Sequence, residues 1–149
     1  MAKDTHGVDG EKWIGFDLDG TLAEYNGWSG VENIGKPVKP MCDIIKKLHS
    51  EGIKVKIVTA RVAPKDVREG EQQADKAREY IKEWCKDNLG FVPEITHEKD
   101  ALMEKMYDDR AVQVIPNEGI PIEDAALHIY QGKKSDIARS LIDYLTDES

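Results

Sequence analysis

Cysteine is scarce in this sequence, with two in 149 residues. Cys42 and Cys85 stand far apart, without a neighbouring Cys or His at zinc-type spacing, so neither a disulfide framework nor a zinc site is indicated. Long apolar runs are missing as well. Nothing approaches the ~20 residues needed to span a bilayer, and the polar stretch up to Trp13 has no apolar core of a signal peptide. No membrane partner and a cytoplasmic location are therefore expected. Positive charge is in deficit, since 21 Lys and Arg against 29 Asp and Glu leave a net charge of -8. Wrapping a nucleic-acid polymer or lying on an anionic membrane needs a cationic face, which this balance does not supply. A small anion, gripped locally, stays open. With no repeat, low-complexity tract or linker, residues 1–149 are expected to form one domain, within the usual roughly 100 to 200 residues. The 40% hydrophobic and 34% charged residues suit a buried core under a charged surface rather than disorder.

What is present alternates between two periodicities. Ile14, Phe16 and Leu18 alternate with Gly15 and Asp17, a short strand running into the turn Asp19-Gly20-Thr21. Residues 23–39 hold too much turn chemistry for a regular element (Asn26-Gly27, Ser29-Gly30, Lys36-Pro37) and read as a loop. Met41, Ile44, Ile45 and Leu48 share one helix face, ended by Gly52. Ile53, Val55 and Ile57 form a second alternating strand, which runs into Thr59-Ala60-Arg61. Ala77, Ile81, Trp84 and Cys85 mark a long helix ending near residues 88–90, with a brief strand at 94–96 and a short helical segment at 100–104. Residues 112–115 look like one more strand. A helical segment is expected over about 121–146, its last helix capped by Ser135. Strands alternating with helices predict an α/β fold: a three-layer α/β/α, Rossmann-like, mostly parallel sheet without a large cap. In such sheets ligands bind beyond the carboxyl ends of the strands, where Asp17, Thr59 and Asp108 would lie.

Two carboxylates two residues apart at a strand end, Asp17 and Asp19, suit phosphoryl chemistry. One can attack phosphorus while the other donates a proton to the leaving oxygen and later activates water. Negative oxygen approaching negative oxygen calls for a hard cation with oxygen ligands, and Asp108-Asp109 at another strand end can complete its shell; Mg²⁺ fits best. A hydroxyl such as Thr59 and an ammonium such as Lys99 would hold the transferring oxygens.

The ordered set Asp17-Leu18-Asp19-Gly20-Thr21, then Thr59 after an apolar strand, then a lysine, then Asp108-Asp109, resembles the haloacid dehalogenase-like superfamily of aspartate-nucleophile phosphatases. Within it the sequence is most similar to the small capless members, including the phosphatase domain of phage-type polynucleotide kinases. The resemblance spans residues 16–110. It implies a Mg²⁺-dependent phosphomonoester hydrolase with an aspartyl-phosphate intermediate, Asp17 as nucleophile, Asp19 as general acid and base, and Thr59 as phosphate ligand. The metal would be held by Asp17, the Asp19 carbonyl and the pair Asp108 and Asp109. Leu18, Thr21, Ala60 and Arg61 would surround the substrate, with Trp28 on the facing loop to stack on a base. The motif lysine is Lys99, which follows a strand, or Lys105, which precedes Asp108. Capless relatives accept bulky substrates or borrow a partner's surface, which leaves room for a homo-oligomer.

The substrate expected is a phosphorylated small molecule or a nucleic-acid end, with Arg61, Lys65 and Arg68 as local cations. A phosphosugar phosphatase, a phosphotransferase or a non-catalytic metal-binding relative carries the same motifs. A phosphorelay receiver domain uses similar residues in another order, with its acidic pair first and its lysine last, and is disfavoured here.

Overall fold

The computed structural model describes residues 10–65 and 73–147, so Arg68 lies outside the described residues. Its centre is strand β1, Trp13–Phe16, buried at all four positions. β2 (Lys54–Val58) lies on one side of it, with β3 (Glu94–Thr96) beyond, and β4 (Met103–Tyr107) lies on the other side, giving the order β3-β2-β1-β4 with every pairing parallel. A central parallel strand is covered on both faces, which is why β1 carries no exposed polar position.

Helices make the crossovers that parallel pairing requires: α1 (Lys39–Ser50) from β1 to β2, and α2 (Ala74–Asn88) from β2 to β3. Ile14, Phe16, Val55 and Ile57 pack with Cys42 and Ile45 of α1 and with Ala77, Ile81, Trp84 and Cys85 of α2 in one core. These are the helix faces expected from the 3.6-residue period. Gly52 ends the α1 turn at φ +79°, a conformation open to glycine at little cost. Both cysteines are buried and free, and burial pushes the Cys85 thiol up to about 12, so it stays protonated. On the other face of the sheet the Lys56 ammonium lies 4.4 Å from the centroid of the Trp13 ring and 2.7 Å from Glu94 Oε2. Those two partners let a lysine stay buried.

Two expected elements differ. Residues 100–104 are not helical: the Asp100 carboxylate accepts the Leu102 N–H and the Trp13 Nε1–H, each at 2.9 Å. That side-chain turn launches β4 at Met103 instead of a helix. Residues 112–115 make no strand, only a single bridge from Val114 to Pro121, because Asn117 and Gly119 both take positive φ and fold the chain back.

β4 carries a bulge. Trp13 pairs with Met103 but Ile14 pairs with Lys105, so Glu104 is an extra residue, and from there Phe16 stands opposite Tyr107. Their rings stack with centroids 4.7 Å apart.

The chain divides into two compact units, residues 2–109 and 110–149. In the second, α3 (Ile122–Tyr130) and α4 (Asp136–Thr146) pack around Ile115, Ala125 and Leu141. The segment expected as helical over 121–146 is thus two helices, interrupted where Gly132 adopts φ +70°. Ser135 caps α4 as expected, its hydroxyl accepting the Ala138 N–H at 3.1 Å. Among the described residues no helix is long and apolar enough to cross a membrane.

Ile57 is fully buried, whereas Ile53 just before β2 is 36% exposed. Ile57→Ala should cost about 2 to 5 kcal/mol of unfolding free energy and Ile53→Ala well under half of that. Urea titration of both variants checks the ranking, and equal losses would contradict this core.

Candidate active site

Asp17 is the first residue past β1, and its N–H donates to the Tyr107 carbonyl at 2.9 Å, so the backbone ladder continues one step beyond the sheet. That step sets Asp17 beside Asp108. Carboxylate oxygens of Asp17, Asp108 and Asp109 all lie within 4.8 Å of one another. Both members of the acidic pair belong to the cluster.

Thr21 ties the cluster together. Its hydroxyl lies 3.2 Å from Asp17 Oδ2 and 3.2 Å from Asp109 Oδ1, donating to one or the other, and accepts the Asp109 N–H at 3.1 Å. The turn that delivers Thr21 needs a glycine. Gly20 has φ +88°, and a Cβ there would run into the Asp109 carboxylate. Three acidic groups in so small a volume repel, and Asp17 responds. Burial first, then the hydrogen bond that protonated Asp17 donates to Asp109 and the charge of Asp108, push it up to about 7. An all-oxygen, three-carboxylate donor set suits a hard cation such as Mg²⁺, which would relieve that repulsion.

The Asp19 carboxylate is not part of this cluster; any share it has in holding a cation would come through its carbonyl. It points to Arg61, whose Nε donates to Asp19 Oδ2 at 2.8 Å and whose Nη2 donates to Oδ1 at 2.9 Å. Arg61 is 2% exposed. Its remaining contacts run to loop carbonyls, Val31 at 3.2 Å and Asn33 at 2.8 Å, while its guanidinium carbon lies 4.7 Å from the centroid of the Trp28 ring. Arg61, expected beside the substrate, is thus bonded to Asp19 and to two loop carbonyls. Its backbone partners carry no sequence signal, which is why this role escapes sequence reasoning.

Thr59 stands at the end of β2, next to β1, buried, with its hydroxyl accepting the Arg61 N–H at 3.2 Å. That bond does not use the hydroxyl proton. Ala60 opens the 3₁₀ turn Ala60–Val62 and is exposed. The Leu18 side chain is fully buried, so only its backbone can meet a ligand. Lys99 is exposed, three residues past the end of β3 and one before Asp100, whose side chain is bonded to Trp13 at the start of β1. Lys105 is exposed within β4, opposite Ile14. Among the described residues, the structure ties neither lysine to the carboxylates, and Lys65 is exposed.

No family model matches the chain, and no curated protein matches it. A solved structure of a conserved protein from Bacteroides thetaiotaomicron is 20% identical over 85% of this chain and 94% of its own, with a TM-score of 0.45. A likeness at that level carries no argument about function.

Mg²⁺ should raise the melting temperature, because a cation held only by the folded carboxylate cluster stabilises by about 2.7 kcal/mol at a hundred times its Kd. Asp108→Asn, Asp109→Asn and Gly20→Ala should each shrink that rise. A rise that survives in all three would place the cation elsewhere.

Proposed function

We propose that this protein is a Mg²⁺-dependent phosphomonoester hydrolase of the haloacid dehalogenase-like type, working through an aspartyl-phosphate. The observation that supports it most is the convergence of Asp17, Asp108 and Asp109 at the carboxyl ends of two adjacent parallel strands. Asp19 is held two residues further on by a buried arginine.

In this reading Asp17 attacks phosphorus as the ester P–O bond breaks, and the leaving oxygen takes a proton from Asp19. One Asp19 oxygen has to leave the Arg61 fork to carry that proton. Water then attacks the phosphorus and passes a proton to Asp19, and the bond between phosphorus and Asp17 breaks to release phosphate. Asp17, Asp108 and Asp109 would hold Mg²⁺, which would supply charge neutralisation for the approach of two anionic oxygens. Thr59 donates its hydroxyl proton to a phosphoryl oxygen, and Thr21 fixes the side chains of Asp17 and Asp109. Lys99, on the segment leaving the strand whose end meets Thr59, contributes the ammonium.

Asp17→Asn should abolish turnover of p-nitrophenyl phosphate while leaving the far-UV circular dichroism intact, because an amide cannot serve as the nucleophile. Activity within about tenfold of wild type would remove Asp17 from that role, since losing a positioned catalytic group costs roughly a hundredfold or more. Lys99→Ala should lower kcat more than Lys105→Ala; the opposite ranking moves the motif lysine to Lys105.

A further inference from the structure

The Asp19–Arg61 pair forms one wall of a cavity of about 610 Å³ whose other walls come from residues 24–36. That volume lies in the range of small-molecule sites, roughly 300 to 1,000 Å³, and far exceeds what a phosphoryl group needs. The loop that encloses it is held at several points. Glu24 N–H donates to the Lys36 carbonyl at 2.8 Å, Val38 N–H to the Leu22 carbonyl at 2.8 Å, and Trp84 Nε1 to the Gly35 carbonyl at 2.9 Å. Gly35 packs so closely under the Glu24 carbonyl that a Cβ has no room. Arg61 fixes the loop past its midpoint, through Val31 and Asn33. The cavity is therefore a built feature of the fold.

Its charges balance. Asp19 and Arg61 neutralise each other, which leaves Glu24 against Lys36, and apart from Ile34 and two glycines the rest of the lining is aromatic, amide or hydroxyl: Tyr25, Trp28, Asn26, Asn33 and Ser29. Such a lining offers hydrogen bonds and flat surfaces to a neutral polar group. It offers no surplus cation for a second phosphate, and the chain's net charge of -8 repels one further.

We propose that this cavity receives the organic leaving group of the phosphomonoester, and that it takes a neutral, polar, small-molecule group such as a nucleoside rather than one that carries a further phosphate. The proposal rests on the phosphatase reading above. It narrows the substrate to phosphorylated small molecules and away from the ends of nucleic-acid strands, where neighbouring phosphates enter with the terminal nucleotide.

The test compares p-nitrophenyl phosphate, thymidine 3′-monophosphate and thymidine 3′,5′-bisphosphate as substrates, with inorganic phosphate as inhibitor. Wild type should prefer the monophosphate to the bisphosphate. Ser29→Trp, which fills the cavity, should lower kcat/KM for the monophosphate by roughly tenfold or more while the inhibition constant of inorganic phosphate holds. Glu24→Lys should raise kcat/KM for the bisphosphate by about tenfold relative to the monophosphate, by removing one like charge and adding an opposite one. If p-nitrophenyl phosphate is hydrolysed but wild type favours the bisphosphate, or Ser29→Trp weakens phosphate inhibition and nucleotide turnover alike, the cavity assignment fails and the phosphatase stands. If wild type hydrolyses none of the three, both fall together.

Discussion

Three carboxylates held within 4.8 Å are the constraint around which the carboxyl end of the sheet is arranged. A pair of unit charges at such a distance repels by about 3 to 4 kcal/mol at an effective dielectric of 20, so side chains left to themselves would separate. They are kept together by covalent and backbone geometry. The bulge at Glu104 advances the β4 register by one residue, so Tyr107 rather than Met106 stands opposite Phe16 and the strand runs out into Asp108 just as β1 runs out into Asp17. Without that extra residue Asp17 would face Tyr107, and every later β4 side chain would exchange faces. Sheet defects of this kind often re-aim a side chain beside a functional site. Here the bulge brings the acidic ends of two strands level.

Arg61 answers a second constraint. A carboxylate two residues from a crowded acidic cluster needs a reason to point elsewhere, and the guanidinium supplies one by taking both Asp19 oxygens. Burying that cation is tolerable only because carbonyls from Val31 and Asn33 take further N–H groups. A lysine, with three donors on one nitrogen and no planar fork, cannot take both Asp19 oxygens and two loop carbonyls at once. The loop and the Asp19 carboxylate are thus held by a single side chain, and the shape of the cavity wall cannot change without disturbing Asp19.

The legible part of this architecture is the part written in side-chain periodicity. β1, β2 and both crossover helices follow from apolar spacing, and the core they form is the one that spacing implies. Consecutive acidic residues at the ends of apolar strands likewise announce a shared edge once the sheet is parallel. β4 was hidden because Met103-Glu104-Lys105-Met106-Tyr107 does not alternate, and it does not alternate because the bulge interrupts the period. The strand suggested at 112–115 failed for the opposite reason: Val112 and Val114 alternate properly, but the turn that follows them leaves both exposed. Arg61 was visible as a charge near the site but not as a brace, since backbone carbonyls leave no mark on the sequence.

Stability and chemistry are consequently drawn from different ends of the same strands. Towards the amino ends of β1 and β2, Trp13 is bonded to Asp100, Lys56 lies over Trp13, and Glu94 pairs with Lys56; each charge there meets an opposite charge or an aromatic face. At the carboxyl ends like charges face one another, and burial first, with those neighbours second, pushes Asp17 up to about 7. A fold that pairs its charges at one end and gathers like charges at the other is set to bind an opposite charge where the like ones meet. A cation would be bound most strongly there, because the carboxylates it meets have already been brought into place by the folding of the sheet.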